Sequence, residues 1–335
     1  MKNKIFYAVI LGLLLTAPFV IYPVFLMKVL CYALFACGFN FLLGYGGLLS
    51  FGHAAFFSMA AYSTGHVIKH IGLAPELGIL VGTSAATMVG FVFGWLAIRR
   101  SGIYFTMITL ALAQMLYFIF LQAPFTGGED GLQAVPRGLL FGLIDLNHNL
   151  FLYYTVLAIF VGGYWLVHRA VHSPFGHVLQ GIRENEPRAI SLGYDVNHYK
   201  LLAFVLSAAL AGLAGSTKTV VLQLASLADA HWQLSGEVVL MTLLGGMGSL
   251  IGPVVGAALV STLQNYLSAG RLSSFVPVVL GCCFVICVMV FRRGIVGEIQ
   301  VALKKFSSVS KSRSASSVTS NRNDHAVTPE REKLL

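Results

Sequence analysis

Few residues of this chain are spaced for chemistry. The nearest approach to a reactive motif is Gly212 to Thr219, GLAGSTKT, which differs at one position from a phosphate-binding G-x4-G-K-T loop. Thr217 stands where the second glycine is needed, and the stretch continues the apolar run LLAFVLSAALAGLAG instead of following a strand. Such a loop holds phosphate with outward-turned backbone N–H groups, which a continuing helix keeps for itself, so ATP is not expected to bind here. Gly246, Gly248 and Gly252 are spaced one residue too widely for a dinucleotide fingerprint, and no βαβ pattern flanks them. Glu129 and Asp130 in TGGEDGL lack the alternating oxygen ligands of a calcium loop. Cys31, Cys37, Cys282, Cys283 and Cys287 lie in apolar runs without a neighbouring His or carboxylate, as small buried hydrophobes do. With no nucleophile–base pair and no H-E-x-x-H spacing, neither a catalytic residue nor a metal site is expected.

The polar residues that remain interesting sit inside apolar runs, where lipid makes them costly. Ser50, His53, Ser58 and Tyr62 fall in one such run, and Thr106, Thr109 and Gln114 in another. Ser50, His53, Ser58, Tyr62, Thr109 and Gln114 are candidates to line a passage for a polar solute, with helix-to-helix hydrogen bonding as the plainer role of any one of them. Lys28, Glu76, Lys218 and Glu237 sit near the ends of runs, and no charged residue lies well inside one. A proton- or sodium-coupled carrier usually keeps a carboxylate in its bundle, so a carrier working alone is disfavoured.

The longest polar interruption, His172 to Lys200, reads as two short helices. Ser173 with Pro174, then Asn185 with Pro187, are start signals, and Gly193 supplies a left-handed stop. Ala189, Ile190 and Leu192 give the second helix an apolar side, while Glu184, Glu186 and Arg188 give it a charged one. A short two-faced helix of this kind suits docking into a groove of another protein.

The elements that must position these residues are membrane helices. Of 335 residues 57% are hydrophobic and 10% charged, against about a quarter charged in soluble domains. Runs near the 20 apolar residues needed to cross a bilayer predict about ten spans, at 5–22, 24–43, 49–68, 76–98, 103–121, 150–168, 201–222, 236–250, 252–269 and 273–291. The run 236–250 is short and Gly-rich enough to be broken or re-entrant. Of the 22 Lys and Arg, 17 fall on one side of this topology. That bias places both termini in the cytoplasm and explains the formal charge of +9 without nucleic acid. Lys2 and Lys4 before an apolar run mimic a signal peptide, but no A-x-A site follows, so a retained first span is expected. Residues 1–291 thus form a transmembrane domain, with an inner loop at 169–200 and an outward loop at 122–149. The basic, Ser-rich tail 292–335 is expected to stay disordered on the cytoplasmic side. Small residues four apart (Gly248, Gly252 and Gly256; Gly90 and Gly94; Ala208 and Gly212; Ala211 and Gly215) are read as helix-packing stripes. GYGGLLSFGHAAF (44–56) and GGMGSLIGPVVGA (245–257) share enough to be halves of an internal repeat.

Five longer stretches carry a resemblance: GYGGLLSFGHAAFFSMAAY (44–62), GIYFTMITLALAQM (102–115), TGGEDGL (126–132), SPFGHVLQGIRENEPRAISLGYDVNHYKLLAFVLSAALAGLAG (173–215) and GGMGSLIGPVVGA (245–257). From about Gly44 to Val290 the chain resembles the LivM-type permease subunits of branched-chain amino-acid ABC transporters, and permeases for urea and short amides look similar. Ala189 and Gly193 fall on the Ala-x3-Gly part of the coupling motif of ABC-importer permeases. Pro187 stands at that motif's Glu position, with Glu186 one residue early. The resemblance implies the all-α ABC-importer permease fold in a bacterial inner membrane. It also implies a partner set: a second homologous permease, two cytoplasmic ATPases that carry ATP and Mg, and a periplasmic solute-binding protein. Glu184, Glu186, Arg188, Ala189 and Gly193 would then couple to the ATPases. The outward loop with Thr126, Gly127, Gly128, Glu129, Asp130 and Gly131 would face the binding protein. No cofactor is expected on this chain.

Overall fold

The computed structural model of the protein describes residues 12–142, 144–268, 278–282, 285, 289 and 294–298. The start of the expected first span, most of the tenth, Cys283 and Cys287, and nearly all of the tail lie outside these residues. What is described is a polytopic all-α bundle. Its helices are α1 (Pro23–Asn40), α2 (His53–His66), α3 (Pro75–Ala97), α4 (Ile103–Gln122) and α5 (Asn149–Val171). They continue as α6 (Pro174–Glu184), α7 (Glu186–Ser191), α8 (Val196–Leu222), α9 (Trp232–Gly245) and α10 (Gly252–Ser268). Wider π turns extend α1 through Phe41–Tyr45 and α2 through Val67–Ile71.

Helices α1, α2 and α8 are buried around most of their circumference and form the centre, with α3 packed on α2 and α8, and α10 on α1 and α9. Small residues make the approach possible. A Cβ at Gly212 would press on Ala86 and lie beside Ala60, and one at Gly90 would collide with Ala208. Gly215 lies against the Phe57 carbonyl. The expected stripes on α3 and α8 are therefore packing surfaces. The third stripe differs: Gly252 and Gly256 pack α10 on α9, but Gly248 belongs to the turn before it, with φ +76.

Every expected span from the second to the ninth holds a helix, but with different limits. Five are long and apolar enough to cross a membrane: Pro23–Tyr45, Pro75–Ala97, Ile103–Gln122, Asn149–Val171 and Val196–Leu222. Helix α8 starts five residues before the apolar run, because Asp195 caps it by accepting from the His198 amide at 3.3 Å. At 14 residues, α9 is about 21 Å long, too short for a hydrocarbon core of about 30 Å. It ends at Gly245, and the chain turns through 246–251 into α10. In the same manner, α1 leads through the turn 46–52 into α2.

At one end of the bundle lie α6 and α7. The opposite end carries the segment 123–148 and two small antiparallel pairings, β1 (Leu132–Gln133) with β4 (Leu224–Ala225) and β2 (Leu139–Leu140) with β3 (Ile144–Asp145). We refer to these as the short-helix end and the hairpin end.

Candidate functional site

Non-helical backbone inside a membrane bundle needs its hydrogen-bonding groups satisfied by protein, and the polar residues of the interior do this. Thr106 Oγ1 donates to the Leu49 carbonyl at 2.9 Å, and Thr109 Oγ1 accepts from the Phe51 amide at 3.3 Å. Ser50 Oγ accepts from the Gly52 amide at 3.1 Å. The second turn is held by Asn40, whose side chain donates to the Ser249 carbonyl at 3.0 Å and accepts from the Gly248 amide at 3.2 Å. Tyr45 Oη donates to the Gly248 carbonyl at 2.9 Å. The two Gly-rich stretches with similar sequences thus share a helix–turn–helix plan and bond to each other through Asn40 and Tyr45.

His53 opens α2 beside this contact and is fully buried. Its Nε2 lies 2.8 Å from Ser207 Oγ, which donates to the Gly38 carbonyl at 2.6 Å. Since that hydroxyl has spent its proton on Gly38, His53 Nε2–H is the donor of the pair. Phe39, Phe56 and Phe204 surround the ring edge-on. Ser58 Oγ donates to the Ala55 carbonyl at 3.2 Å within its own helix. Tyr62 points to the other side of α2, 4.8 Å from the Phe120 ring, and Gln114 is half-buried on α4. These contacts give the path candidates different roles. Ser50 and Thr109 brace a turn, His53 ties three helices, Ser58 bonds within α2, and Tyr62 packs on α4.

At the short-helix end the cap signals act as the spacing suggests. Ser173 Oγ accepts from the Gly176 amide, Asn185 Oδ1 accepts from the Arg188 amide at 3.0 Å, and Gly193 turns left-handed at φ +85. Tyr194 N–H returning to the Ala189 carbonyl closes α7. Of the expected apolar side, Ala189 is 6% exposed and packs on Ile182 and Val196, whereas Ile190 and Leu192 are 58% and 68% exposed. Glu184, Arg188 and Gly193 are exposed too. Glu186 pairs with Lys200 at 2.7 Å and ties α7 to α8, with much of its side chain still exposed. Arg183 donates to the Gly44 carbonyl, joining α6 to the last turn before 46–52. A cleft of roughly 450 Å³ opens here, lined by Gly47, Leu48, Arg183, Glu186 and Lys200 among others.

At the hairpin end Thr126 is buried, its hydroxyl bonded to the Phe120 and Ala123 carbonyls at 2.5 and 2.7 Å. Gly127, Gly128 and Gly131 all have positive φ, and a Cβ on Gly131 would strike the Ala225 carbonyl. Glu129 and Asp130 are exposed. Beneath this loop is a feature the hydropathy pattern conceals. Lys218, near the end of an apolar run, is buried and ion-paired with buried Asp229. Asp229 stands in the 3-10 turn Leu227–Ala230 between α8 and α9, so a carboxylate does enter the bundle. Asn40 was visible as a polar residue inside the run 24–43. The eleven-residue separation of Lys218 and Asp229, across a chain reversal, gave no comparable signal.

A family model described as the branched-chain amino acid transport system / permease component matches residues 22–290. The high-affinity branched-chain amino acid transport system permease protein LivM of Escherichia coli (strain K12) is 25% identical, covering 77% of this chain and 67% of its own length. The ribose import permease protein RbsC of Bacillus subtilis (strain 168) is 27% identical over 66% of this chain and 70% of its own. The autoinducer 2 import system permease protein LsrC of Klebsiella pneumoniae subsp. pneumoniae is 28% identical over 45% and 44%. No solved structure matches the chain.

Proposed function

The chain belongs to the branched-chain amino-acid transport permease family, whose members are transport subunits, and from that premise we propose that it forms one half of the membrane passage of an ATP-driven importer of branched-chain amino acids. The family match over residues 22–290 carries this reading. On it, a second, homologous permease completes the passage, two separate ATPases supply the energy, and a periplasmic binding protein delivers the solute. The short-helix end is cytoplasmic in the inner membrane, since Arg99, Arg100, Arg169, Arg183 and Arg188 gather there.

Helix α7 is the ATPase contact. Exposed Ile190 and Leu192 enter a groove of the partner, with Glu184 and Arg188 at its rim. When ATP draws the ATPases together, α7 moves with them. Glu186–Lys200 passes that movement to α8, and Arg183–Gly44 passes it to the paired turns through Asn40 and Tyr45.

Labelled leucine uptake in a deletion strain carrying the chain tests the reading, under ATP depletion and separately under collapse of the proton gradient. Import that stops with ATP and survives the uncoupler is expected. Import that follows the gradient would make the protein a secondary carrier. A second reading, import of ribose or a similar sugar, is favoured by the RbsC relative, and urea import by the likeness of urea permeases. Ribose and urea therefore serve as the second and third labelled solutes.

A further inference from the structure

The hairpin end holds four charged side chains in one layer. Lys28 lies five residues into α1, Glu237 lies five residues into α9, and these helices pack together. Both are therefore about 8 Å below the hairpin end. Lys218 is four residues from the end of α8, and Gln264 four from the end of α10. Lys218 is closed on Asp229. Its ammonium and that of Lys28 share the Tyr32 ring, at 5.6 and 5.9 Å from the centroid. Lys28 feels the like charge of Lys218 and the opposite charge of Glu237, and Glu237 has Gln264 of α10 for a neighbour.

Yet neither Lys28 nor Glu237 forms an ion pair among the described residues. Both are half-buried, so a solute that reaches them can still pair with each. A free amino acid carries a carboxylate and an ammonium on one carbon, the right charges to do so. We infer that Lys28 and Glu237 form a station for the amino-acid zwitterion at the mouth of the passage. Lys28 takes the carboxylate, Glu237 takes the ammonium, and the closed Lys218–Asp229 pair is the fixed neighbour that leaves both of them unclaimed. This rests on the amino-acid reading above and sharpens it, because a ribose or urea molecule offers no pair of charges to bridge the gap.

The test uses the complete transporter with its partner subunits in proteoliposomes, and labelled leucine. Wild-type import of leucine is established first; import of ribose or urea alone would defeat the proposed function and this station with it. Lys28→Met and Glu237→Gln are each expected to lower leucine uptake about tenfold, the loss carried by one charge-assisted contact. The amount of assembled complex stays unchanged. The exchange Lys28→Glu with Glu237→Lys keeps an opposite pair and is expected to recover uptake to within about threefold of wild type. Wild-type uptake in either single variant overturns the inference. So does a loss explained by missing complex, or an exchanged pair no better than the singles.

Discussion

His53, Ser207 and Thr109 show how polar groups in this bundle are spent. Each closes a hydrogen bond between segments far apart in sequence, and Ser207 does so twice. Ser207→Ala would leave the His53 N–H buried without its acceptor, at about 1–3 kcal/mol, and the thermal unfolding temperature of the purified complex is expected to fall. The buried pair is more sensitive. Lys218→Met strands the Asp229 carboxylate, a loss of about 3–5 kcal/mol, so little complex should reach the membrane. Adding Asp229→Leu should restore it, since replacing both partners by apolar groups is often neutral; immunoblots of membrane fractions would show either result. The residue types were legible in the sequence, because a histidine or threonine in an apolar run must have a partner. The partners were not. Ser207 is 154 positions from His53, and only the rotation of two helices about their axes brings them together.

The short helices are the opposite case. Their limits were readable because Ser173, Asn185 and Gly193 act within three or four residues of chain. Glu186 was read as a contact for a partner, and only the approach of α8 reveals that Lys200 already holds it. Ile190→Asp combined with Leu192→Asp changes only exposed side chains. We expect normal membrane abundance and ATP-driven leucine uptake reduced about tenfold or more, as when apolar anchors leave an interface; unimpaired uptake would refute α7 as the docking element. Gly193 has open space around it but φ +85. Gly193→Trp therefore strains the backbone that ends α7 rather than colliding with a neighbour. Insertion should survive while transport uncouples from ATP, which is read as ATPase activity without uptake.

Across the whole molecule, hydropathy located the helices and misjudged how far some of them travel. Hydropathy alone does not reveal whether a chain turns back inside the bundle, but the glycines of 236–250 marked a break, and the run is the end of a 14-residue helix plus a turn. The glycine stripes were better guides, since close packing leaves its mark in side-chain size. Gly212→Leu would drive a side chain into Ala86 and Ala60 at the junction of α2, α3 and α8. Overpacking of about 1–3 kcal/mol is expected, seen as a lower unfolding temperature in detergent. The short α9 has a further consequence. A helix of about 21 Å in a core of about 30 Å stops two-thirds of the way across. Below its turn Gly294 lies against Gly245 and Gly246, and the cleft beside Arg183 approaches the other turn from the same side. From there on, two turns joined through Asn40 and Tyr45 stand where the rest of a spanning helix would be.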